Sequence, residues 1–397
     1  MKSASLPHII IDKDATRHLE QGFPWVYQSA IAWNSQLEQL QPGTVVQVKS
    51  KQGKALGMGM LNARSIIALR MLHTGSGLVT IDEAFFKYRF EQALRKREAL
   101  IKIPYYRLIH SEGDQLPGLI IDRFGDYTVC QTTTAGMELL KPFWVPALKT
   151  LLNPKGIIFR DDGASRKKEG LKLEVTVQGE QPPTPTEVHE RNTIYLANLI
   201  HGQKTGWFYD QRENRGYAAQ FANNQHVLDL YTHTGGFGLP AAQQGALSVT
   251  LVDASAEALK LASQAAMLNH VDSLCSYEEG NIFELLPAWI NEGRHYGLII
   301  ADPPAFIKDK QYIASGLRGY QKLAFLCAQL LEPQGTLFIA SCSHHAELNA
   351  FRRAVEAGIR EAGRDYKLLR TSFADKDHVI HPQLQQNSYL KALCYRL

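Results

Sequence analysis

The feature that most constrains this chain is a repeated order of apolar strand, loop and helix that begins near residue 226. Four short apolar runs have the length of strands: 227–230, 249–253, 297–302 and 335–340. Helical patterns lie between them, near 236–244, 255–269 and 317–331. Nearly continuous apolar strands that alternate with helices are typical of a parallel sheet covered on both faces. The C-terminal half is therefore predicted to be an α/β fold with a doubly wound, mostly parallel sheet.

The N-terminal half has a different pattern. Residues 1–72 contain short alternating runs, such as 45–48, separated by glycine-containing turns, which is typical of a small β-barrel. An amphipathic helix is predicted over 82–100, and strand-like runs and a second helix follow to about residue 159. This alternation indicates a small α+β unit. We place the main linker at the proline-rich segment 181–186, because proline blocks regular structure.

Charge is unevenly distributed between the halves. Residues 1–187 contain 24 Lys and Arg and 19 Asp and Glu, whereas residues 188–397 contain 19 and 20. A basic half joined to a near-neutral half suits a module that positions nucleic acid beside an enzyme. A solvated surface with a chance imbalance is the alternative. The basic triplet 95–97 is interpreted as a solvated helix face.

Composition excludes several classes of protein. Hydrophobic residues make up 45% and charged residues 21%, which is ordinary for a soluble globular protein. No run approaches the ~20 apolar residues of a membrane span, and the first residues lack a secretory signal, so we expect a cytoplasmic protein without membrane association. The five cysteines form no Cys-x-x-Cys pair, so neither a metal site nor a disulfide framework is indicated.

A glycine pair follows the first strand of the C-terminal half. In the loop after Asp229, Gly235 and Gly236 would let backbone N–H groups approach a ligand at the start of the next helix. Asp253 closes the second strand 18 residues after Gly235, where a carboxylate can accept both ribose hydroxyls of a nucleoside cofactor. The absence of a Gly-x-Gly-x-x-Gly motif disfavours NAD and favours S-adenosylmethionine. A simple strand-to-helix turn is the alternative.

A second loop follows the strand at 297–302. Asp302 is followed by two prolines, which fix an extended conformation that can hold its carboxylate against the edge of a planar base. The loop resembles the acid-Pro-Pro-aromatic motif of exocyclic-amine methyltransferases, but Ala305 intervenes and the aromatic residue, Phe306, comes one place late. This displacement tells against amine methylation, which stays the alternative.

Cys342 follows the next strand directly and is the candidate nucleophile. Methylation of a pyrimidine at C5 requires covalent help, because C5 becomes nucleophilic only after a thiolate has added to C6. Asp302 would hydrogen-bond N3 and the exocyclic amine of cytosine and favour that adduct. The predicted product is 5-methylcytosine. The alternative for a lone cysteine is a small buried side chain, which is the interpretation we give Cys327.

Several segments together resemble the bacterial 23S rRNA cytosine-C5 methyltransferase family that carries an N-terminal PUA domain. In the C-terminal half these segments are 204–215, 234–237, 302–306 and 341–343. Further upstream they are 23–27, 114–123 and 165–170. The resemblance covers nearly the whole chain. It implies a PUA-like β-barrel over 1–73, a central α+β domain and linker over 74–187, and a Rossmann-like methyltransferase domain over 188–397.

The resemblance and the strand-end pattern together predict a set of cofactor-binding residues. They are Phe208, Asp210, Arg212, Asp229, Thr234, Gly235, Gly236, Phe237, Asp253, Asn281 and Asp302. Asp253 would hold the ribose, and Asn281 would lie near adenine, where the family often has an acid. Cys342 matches the family's nucleophile, and Ala305 stands where some related enzymes have a second cysteine. The implied partner is RNA, 23S rRNA or its large-subunit precursor, and a homodimer is left open.

Three functions follow from these features. The leading hypothesis is methylation of RNA cytosine at C5, with the base turned into the pocket. The second is methylation of an exocyclic amine on adenine or guanine, and the third is an RNA-binding or assembly factor without turnover. The adjacent His344 and His345 are not predicted to bind metal, because no cysteine or acid stands at ligand spacing from them.

Overall fold

The structure is a computed structural model that describes residues 6–202, 205–384 and 388–397. Backbone contacts group the chain into two compact units. Unit 1 consists of Met1–Pro183, Leu199–Trp207 and Asp377–Gln385. Unit 2 consists of Thr184–Asn198, Phe208–Lys376 and Gln386–Leu397. The first junction, between Pro183 and Thr184, lies within the proline-rich segment 181–186.

Unit 1 begins with a five-stranded sheet. Its strands are β1 (His8–Ile11), β2 (Trp25–Val26), β3 (Thr44–Ser50), β4 (Ala55–Leu61) and β5 (Leu69–Thr74), and its helices are α1 (Lys13–Glu20) and α2 (Ser35–Glu38). The strand order is β1-β3-β4-β5-β2, and only the β1–β3 pair is parallel. The alternating run at 45–48 lies in β3, where Val46 and Val48 are fully buried.

A second five-stranded sheet completes unit 1. Its strands are β6 (Tyr105–His110), β7 (Leu119–Phe124), β8 (Tyr127–Thr132), β9 (Gly156–Asp161) and β10 (Glu174–Gly179). The helices are α3 (Glu83–Leu100), α4 (Ala135–Leu139), α5 (Lys141–Leu152) and α6 (Ser165–Lys168). The strand order is β10-β9-β8-β7-β6, and only β8 and β9 are parallel.

Helix α3 matches the amphipathic helix predicted over 82–100, but one of its charged residues does not face solvent. Arg95 and Lys96 are exposed, as a solvated face requires, whereas Arg97 is only 1% exposed. Both terminal nitrogens of Arg97 donate to the Asp114 carboxylate at 2.7 Å. The interpretation of the basic triplet is therefore wrong at Arg97, because the buried carboxylate of Asp114, 17 residues further along the chain, compensates its charge.

Unit 2 contains a two-stranded hairpin and a seven-stranded sheet. The strands are β11 (Thr186–Glu190), β12 (Thr193–Ala197), β13 (His226–Leu230), β14 (Ser248–Asp253), β15 (Cys275–Glu279), β16 (Tyr296–Ala301), β17 (Leu331–Ser341), β18 (Lys367–Phe373) and β19 (Lys391–Arg396). The helices are α7 (Arg212–Ala219), α8 (Gly238–Gln243), α9 (Ala256–Leu268), α10 (Ile282–Asn291), α11 (Ile313–Leu330) and α12 (Leu348–Glu361).

The large sheet of unit 2 confirms the predicted doubly wound architecture. Its strand order is β15-β14-β13-β16-β17-β19-β18. Every pair from β15 to β17 is parallel, and β19 runs antiparallel to both of its neighbours. Central strand residues such as Leu228, Ile299 and Leu337 have no exposure to solvent, because helices cover both faces.

The parallel register places several strand ends at one edge of this sheet. Leu230 pairs with both Val252 and Ala301, and Ala301 pairs with Ile339. The loops that leave β13, β14, β16 and β17 therefore meet at the carboxyl edge, where ligands bind in open α/β sheets. In the described part of the chain, no helix has the length and apolar content that a bilayer crossing requires.

Candidate active site

Asp229 lies beneath the candidate site, near the end of β13, and is fully buried. One of its carboxylate oxygens accepts hydrogen bonds from the Thr232 hydroxyl at 2.5 Å and from the Gly238 N–H at 2.7 Å. Burial, with a smaller contribution from the nearby Asp302 and Asp253, raises the pKa of this carboxyl to about 7, although the two hydrogen bonds oppose the increase. Asp229 thereby joins the end of β13 to the start of α8.

The predicted glycine pair forms the loop between β13 and α8. Gly235 has a φ of +87°, and a Cβ at this position would lie 2.8 Å from the side chain of Leu239. Only glycine fits such a site without strain. A Cβ on Gly236 would approach the guanidinium of Arg215 at 3.3 Å. Both glycines therefore stand where backbone and side chains approach one another closely.

Asp253 ends β14 and holds two neighbouring loops. Its carboxylate accepts hydrogen bonds from the backbone N–H groups of His233 at 2.9 Å and Ser255 at 3.0 Å. Its own carbonyl oxygen accepts from Gly280, in the loop after β15. In the same loop, Asn281 is exposed and caps α10 through its side-chain oxygen. The structure thus brings the glycine loop, the predicted ribose-binding acid and the predicted adenine-side residue to neighbouring strand ends.

Two buried polar atoms around the glycine loop indicate that a ligand belongs there. Oδ1 of Asp229 and Oγ1 of Thr234 are buried and have no hydrogen-bond partner among the described residues. A buried polar atom without a partner destabilises the fold, so a polar ligand group would satisfy both. Phe237 is 4% exposed and packs against Phe338 at a ring separation of 5.3 Å, so its side chain belongs to the core. These residues fit S-adenosylmethionine.

Phe208 lies next to the glycine loop. Its ring packs edge-on against the ring of His233, with 5.3 Å between centroids. Its carbonyl oxygen accepts a hydrogen bond from Arg215 at 2.7 Å, and Arg215 also forms an ion pair with Glu190 at 2.9 Å. The predicted position of Phe208 beside the cofactor pocket is consistent with these contacts.

Two charged residues predicted near the cofactor are already paired within unit 2. The Asp210 carboxylate accepts a hydrogen bond from the hydroxyl of Tyr389, and Arg212 forms an ion pair with Asp375 at 2.8 Å. Both are almost fully buried. Both charges are therefore compensated within unit 2, and their position beside the cofactor stays a prediction. Lys204, at the start of the same motif, lies outside the described residues.

The Asp-Pro-Pro loop follows β16 at the same edge. The Asp302 N–H donates to the carbonyl of Leu230 at 3.4 Å, which places this residue beside the end of β13. Phe306 packs against Tyr320 at 4.7 Å and against Phe283 at 6.1 Å between ring centroids. The late aromatic residue is thus held by the helices behind the loop.

Cys342 lies directly after β17, and its side chain is partly exposed. Its sulfur is 3.8 Å from the carbonyl oxygen of Pro303, so the thiol and the loop that carries Asp302 meet. Cys327 is fully buried within α11, in agreement with its interpretation as a packing residue, and burial raises the pKa of its thiol. Cys130 and Cys394 are also buried, which leaves Cys275 as the other partly exposed thiol of the described chain.

A chain of hydroxyl groups fixes both sides of Cys342. The Ser341 hydroxyl donates to the Tyr320 hydroxyl at 2.8 Å, which lies 2.9 Å from the Ser343 hydroxyl. The Ser343 oxygen also accepts from the N–H of Ile307, beyond the Asp-Pro-Pro loop, at 3.1 Å. All three hydroxyl-bearing side chains are buried. These linked hydroxyl groups position the cysteine relative to α11 and to the loop after β16.

Sequence reasoning missed several residues of the site. Tyr389, Lys391 and Asp375 come from the C-terminal part of the chain, which returns to the sheet through β18 and β19. Of these three residues, only Lys391 could have been found from the sequence, because it is a lysine within the otherwise apolar run 389–395. His344 and His345 follow Cys342, and no group of three or more His, Cys, Asp or Glu in the described chain is arranged to hold a metal ion.

The sequence is similar to known families and proteins over its full length. A PUA-like domain matches residues 9–74, and the S-adenosylmethionine-dependent methyltransferase family matches residues 176–396. A protein of Tolumonas auensis named ribosomal RNA large subunit methyltransferase I is 35% identical over 394 residues, 98% of each chain. A protein of the same name from Aeromonas hydrophila is 35% identical over 398 residues, again 98% of each chain.

Two solved structures have a similar fold. SMU.776, assigned as a methyltransferase and complexed with SAH, superimposes with a TM-score of 0.83 at 21% identity, covering 99% of this chain and 100% of that chain. A protein of Streptococcus mutans, assigned as a SAM-dependent methyltransferase, superimposes with a TM-score of 0.82 at 21% identity, covering 99% of this chain and 100% of that chain. At this identity, the likeness shows a shared fold.

Proposed function

Because the chain belongs to the S-adenosylmethionine-dependent methyltransferases that carry a PUA-like domain, we propose that it methylates C5 of a cytosine in 23S rRNA. The reaction would proceed through a covalent bond between Cys342 and C6 of the base. The observation that carries this proposal is the 3.8 Å separation between the Cys342 sulfur and the Pro303 carbonyl, next to Asp302. This separation supports the proposal that a nucleophile and an acid that recognises the base lie at the same edge of the sheet.

The cofactor would lie along the carboxyl ends of β13, β14 and β15. S-adenosylmethionine, when bound, supplies an electrophilic methyl group. Thr234 and the glycine pair would hold its amino-acid portion, since the Thr234 hydroxyl is buried and lacks a partner among the described residues. The Asp253 carboxylate would accept the ribose hydroxyls through its remaining lone pairs, and Asn281 would lie towards adenine. Asp210 and Arg212 would act by fixing the surrounding wall.

The protein's part in the reaction begins with the Cys342 thiolate. Its sulfur forms a bond to C6 of the cytosine, and the electron pair of the C5–C6 double bond becomes available at C5. Asp302 hydrogen-bonds N3 and the exocyclic amine, which stabilises the adduct. C5 then accepts the methyl group and loses its proton to a base. The electrons of that C–H bond restore the double bond, and the sulfur leaves as thiolate.

The placement of Phe306 argues against methylation of an exocyclic amine. In that chemistry the motif supplies an aromatic ring next to the target base. Here the Phe306 ring packs against Tyr320 and Phe283. The thiol beside Pro303 also has no role in direct transfer to an amine. Cytosine C5 is therefore the target that this edge of the sheet supports.

Unit 1 would supply contacts to RNA. We propose that residues 1–73 form a PUA-like barrel, that 74–187 form a central domain with the linker, and that 188–397 form the catalytic domain. The excess of Lys and Arg over residues 1–187 supports contacts with phosphates, which position RNA without reading its sequence. A cytoplasmic location follows from a ribosomal RNA substrate.

The experiment that tests this function compares Cys342→Ala with Cys275→Ala, which removes the other partly exposed thiol of the described chain. We expect Cys342→Ala to bind S-adenosylmethionine in calorimetry yet form no 5-methylcytosine, whereas Cys275→Ala stays active. Mass analysis of nucleosides from the treated RNA identifies the product. Full activity of Cys342→Ala would refute the covalent mechanism, and methylated adenine or guanine would establish the alternative target. Absence of cofactor binding by folded protein would indicate a non-catalytic factor.

A further inference from the structure

Lys391 is a buried cation next to the candidate nucleophile. It is the first residue of β19 and pairs with Ser341, the last residue of β17, so it lies across from the position just before Cys342. The residue is 4% exposed. Lysine is almost never buried to this degree without a compensating partner.

The Lys391 ammonium group is held by the loop that contains Cys342. It donates to the carbonyl of Ser343 at 2.9 Å and to the carbonyl of Ala346. No carboxylate among the described residues forms an ion pair with it. Burial lowers the pKa of Lys391 to about 8, and Cys342 is the group that opposes this decrease. Lys391 is therefore mostly protonated at pH 7.

Among the described residues, the titratable neighbours of Cys342 on the loop after β17 and on α11 do not supply a comparable cation. The protonated form of His344 is disfavoured, because burial lowers the pKa of its imidazole and the nearby His345 and Lys391 lower that pKa further. Burial raises the pKa of Tyr320, on α11, so its hydroxyl stays neutral. The loop after β16 contributes a carbonyl, that of Pro303, and an acid. Lys391 is thus the charged donor that β19 brings to the loop that contains Cys342.

We propose that Lys391 is a positioning residue that holds the loop after Cys342 and uses its charge to keep the cysteine sulfur in the thiolate form. This inference rests on the proposed function, in which that sulfur attacks C6. A cation beside a thiol favours the thiolate, which is the reactive species. A buried lysine that has two carbonyl partners can direct its remaining N–H towards a sulfur anion.

Alkylation of Cys342 by iodoacetamide tests this role without methyl transfer. In Lys391→Met, we expect the alkylation rate at pH 7 to fall about tenfold and its pH profile to move upwards. Lys391→Gln, which keeps hydrogen-bond donors but no charge, should also be slow, whereas Lys391→Arg should recover most of the rate. Site-resolved mass spectrometry follows Cys275 in the same sample as an internal reference. Lys367→Met, on the exposed start of β18, is the matched control.

The outcomes separate this inference from the proposed function. A wild-type alkylation rate in Lys391→Met, or a rate restored by Lys391→Gln, would overturn the role of the charge. If Lys391→Met fails to fold, the alkylation rates of Lys391→Gln and Lys391→Arg test the role of the charge in the same way. If Cys342→Ala abolishes methylation while Lys391→Met leaves alkylation unchanged, the proposed function stands and this inference fails. If Cys342→Ala stays active, the proposed function itself fails.

Discussion

Two buried charged side chains show different ways of compensating a charge inside this molecule. Arg97 and Asp229 have little or no contact with solvent, yet they are compensated differently. Arg97 is bound by a carboxylate, whereas Asp229 is bound by neutral donors and its pKa is raised to about 7. The first therefore stabilises the fold as an ion, and the second stabilises it best when protonated.

Replacing Arg97 by methionine should destabilise unit 1. The change leaves the Asp114 carboxylate buried without its partner and removes a hydrogen bond to the Asp377 carbonyl. Breaking a buried ion pair costs about 3–5 kcal/mol. Urea unfolding measures this change. Arg95→Met, on the exposed face of the same helix, should stay within about 0.5 kcal/mol of wild type, and equal stability of the two variants would contradict the role of the buried pair.

Stability should depend on pH through Asp229. Its pKa is about 7 in the folded protein, against an ordinary value of 3.8, so the folded state retains a proton that the unfolded chain loses. The contribution of Asp229 is therefore full below pH ~4 and is lost as the pH rises towards ~7. Asp229→Asn cannot ionise. The unfolding free energy of wild type relative to this variant should fall by up to ~4 kcal/mol over that range, and a pH-independent difference would exclude the effect.

Whether a strand could be predicted from the sequence depended on how much of it is buried. Strands β13, β14 and β16 could be predicted because helices cover both faces and their sequences are continuously apolar. Strand β15, with the sequence Cys-Ser-Tyr-Glu-Glu, lies at a sheet edge and is largely unburied, so no such pattern exists. Strand β18 forms the opposite edge and was missed for the same reason.

The candidate site was predictable where chemistry coincides with a strand end. Asp229, Asp253, Asp302 and Cys342 could be found in this way, and their roles stay predictions. The pairing of Asp210 with Tyr389 spans 179 residues, and Tyr389 lies just before β19, a strand that was not predicted. Contacts of this kind depend on how the sheet is completed, which local sequence patterns do not encode.

The loop between β13 and α8 should not tolerate a side chain at Gly235. Gly235→Ala combines an unfavourable φ with a Cβ placed 2.8 Å from Leu239, so the loop must shift. We expect affinity for S-adenosylmethionine to fall about tenfold, equivalent to about 1.4 kcal/mol. Gly293→Ala is a matched control, because its φ is +73° and the space around it is open. Unchanged binding by Gly235→Ala in calorimetry would remove this loop from the cofactor site.

The hydroxyl chain between α11 and β17 should affect catalysis more than cofactor binding. Tyr320→Phe removes the hydroxyl that contacts Ser341 and Ser343 on either side of Cys342. We expect methyl transfer to slow about tenfold while the affinity for S-adenosylmethionine is retained, since a displacement of the nucleophile lowers the rate. Tyr312→Phe, on an exposed tyrosine just before α11, should have no effect. A rate equal to wild type for Tyr320→Phe would show that the chain does not position Cys342.

At the scale of the whole molecule, charge separates the two halves of the chain. Binding of RNA should therefore weaken with salt, and residues of unit 1 should set the salt dependence. The exposed Lys167 and Lys168 of α6 are suitable test positions. The double change Lys167→Gln and Lys168→Gln should reduce the slope of log affinity against log salt by about 1–2. Lys260→Gln, exposed on α9, should leave it unchanged, and equal slopes for all three proteins would place the RNA contacts elsewhere.

The two units are interleaved along the chain, because Leu199–Trp207 and Asp377–Gln385 belong to unit 1 although unit 2 surrounds them in sequence. A protein assembled by simple end-to-end gene fusion would cross from one module to the other once. This chain returns repeatedly, so no single cut yields both modules whole. Exchanging one module for that of a distant homologue would therefore require three separate segments to be transplanted together.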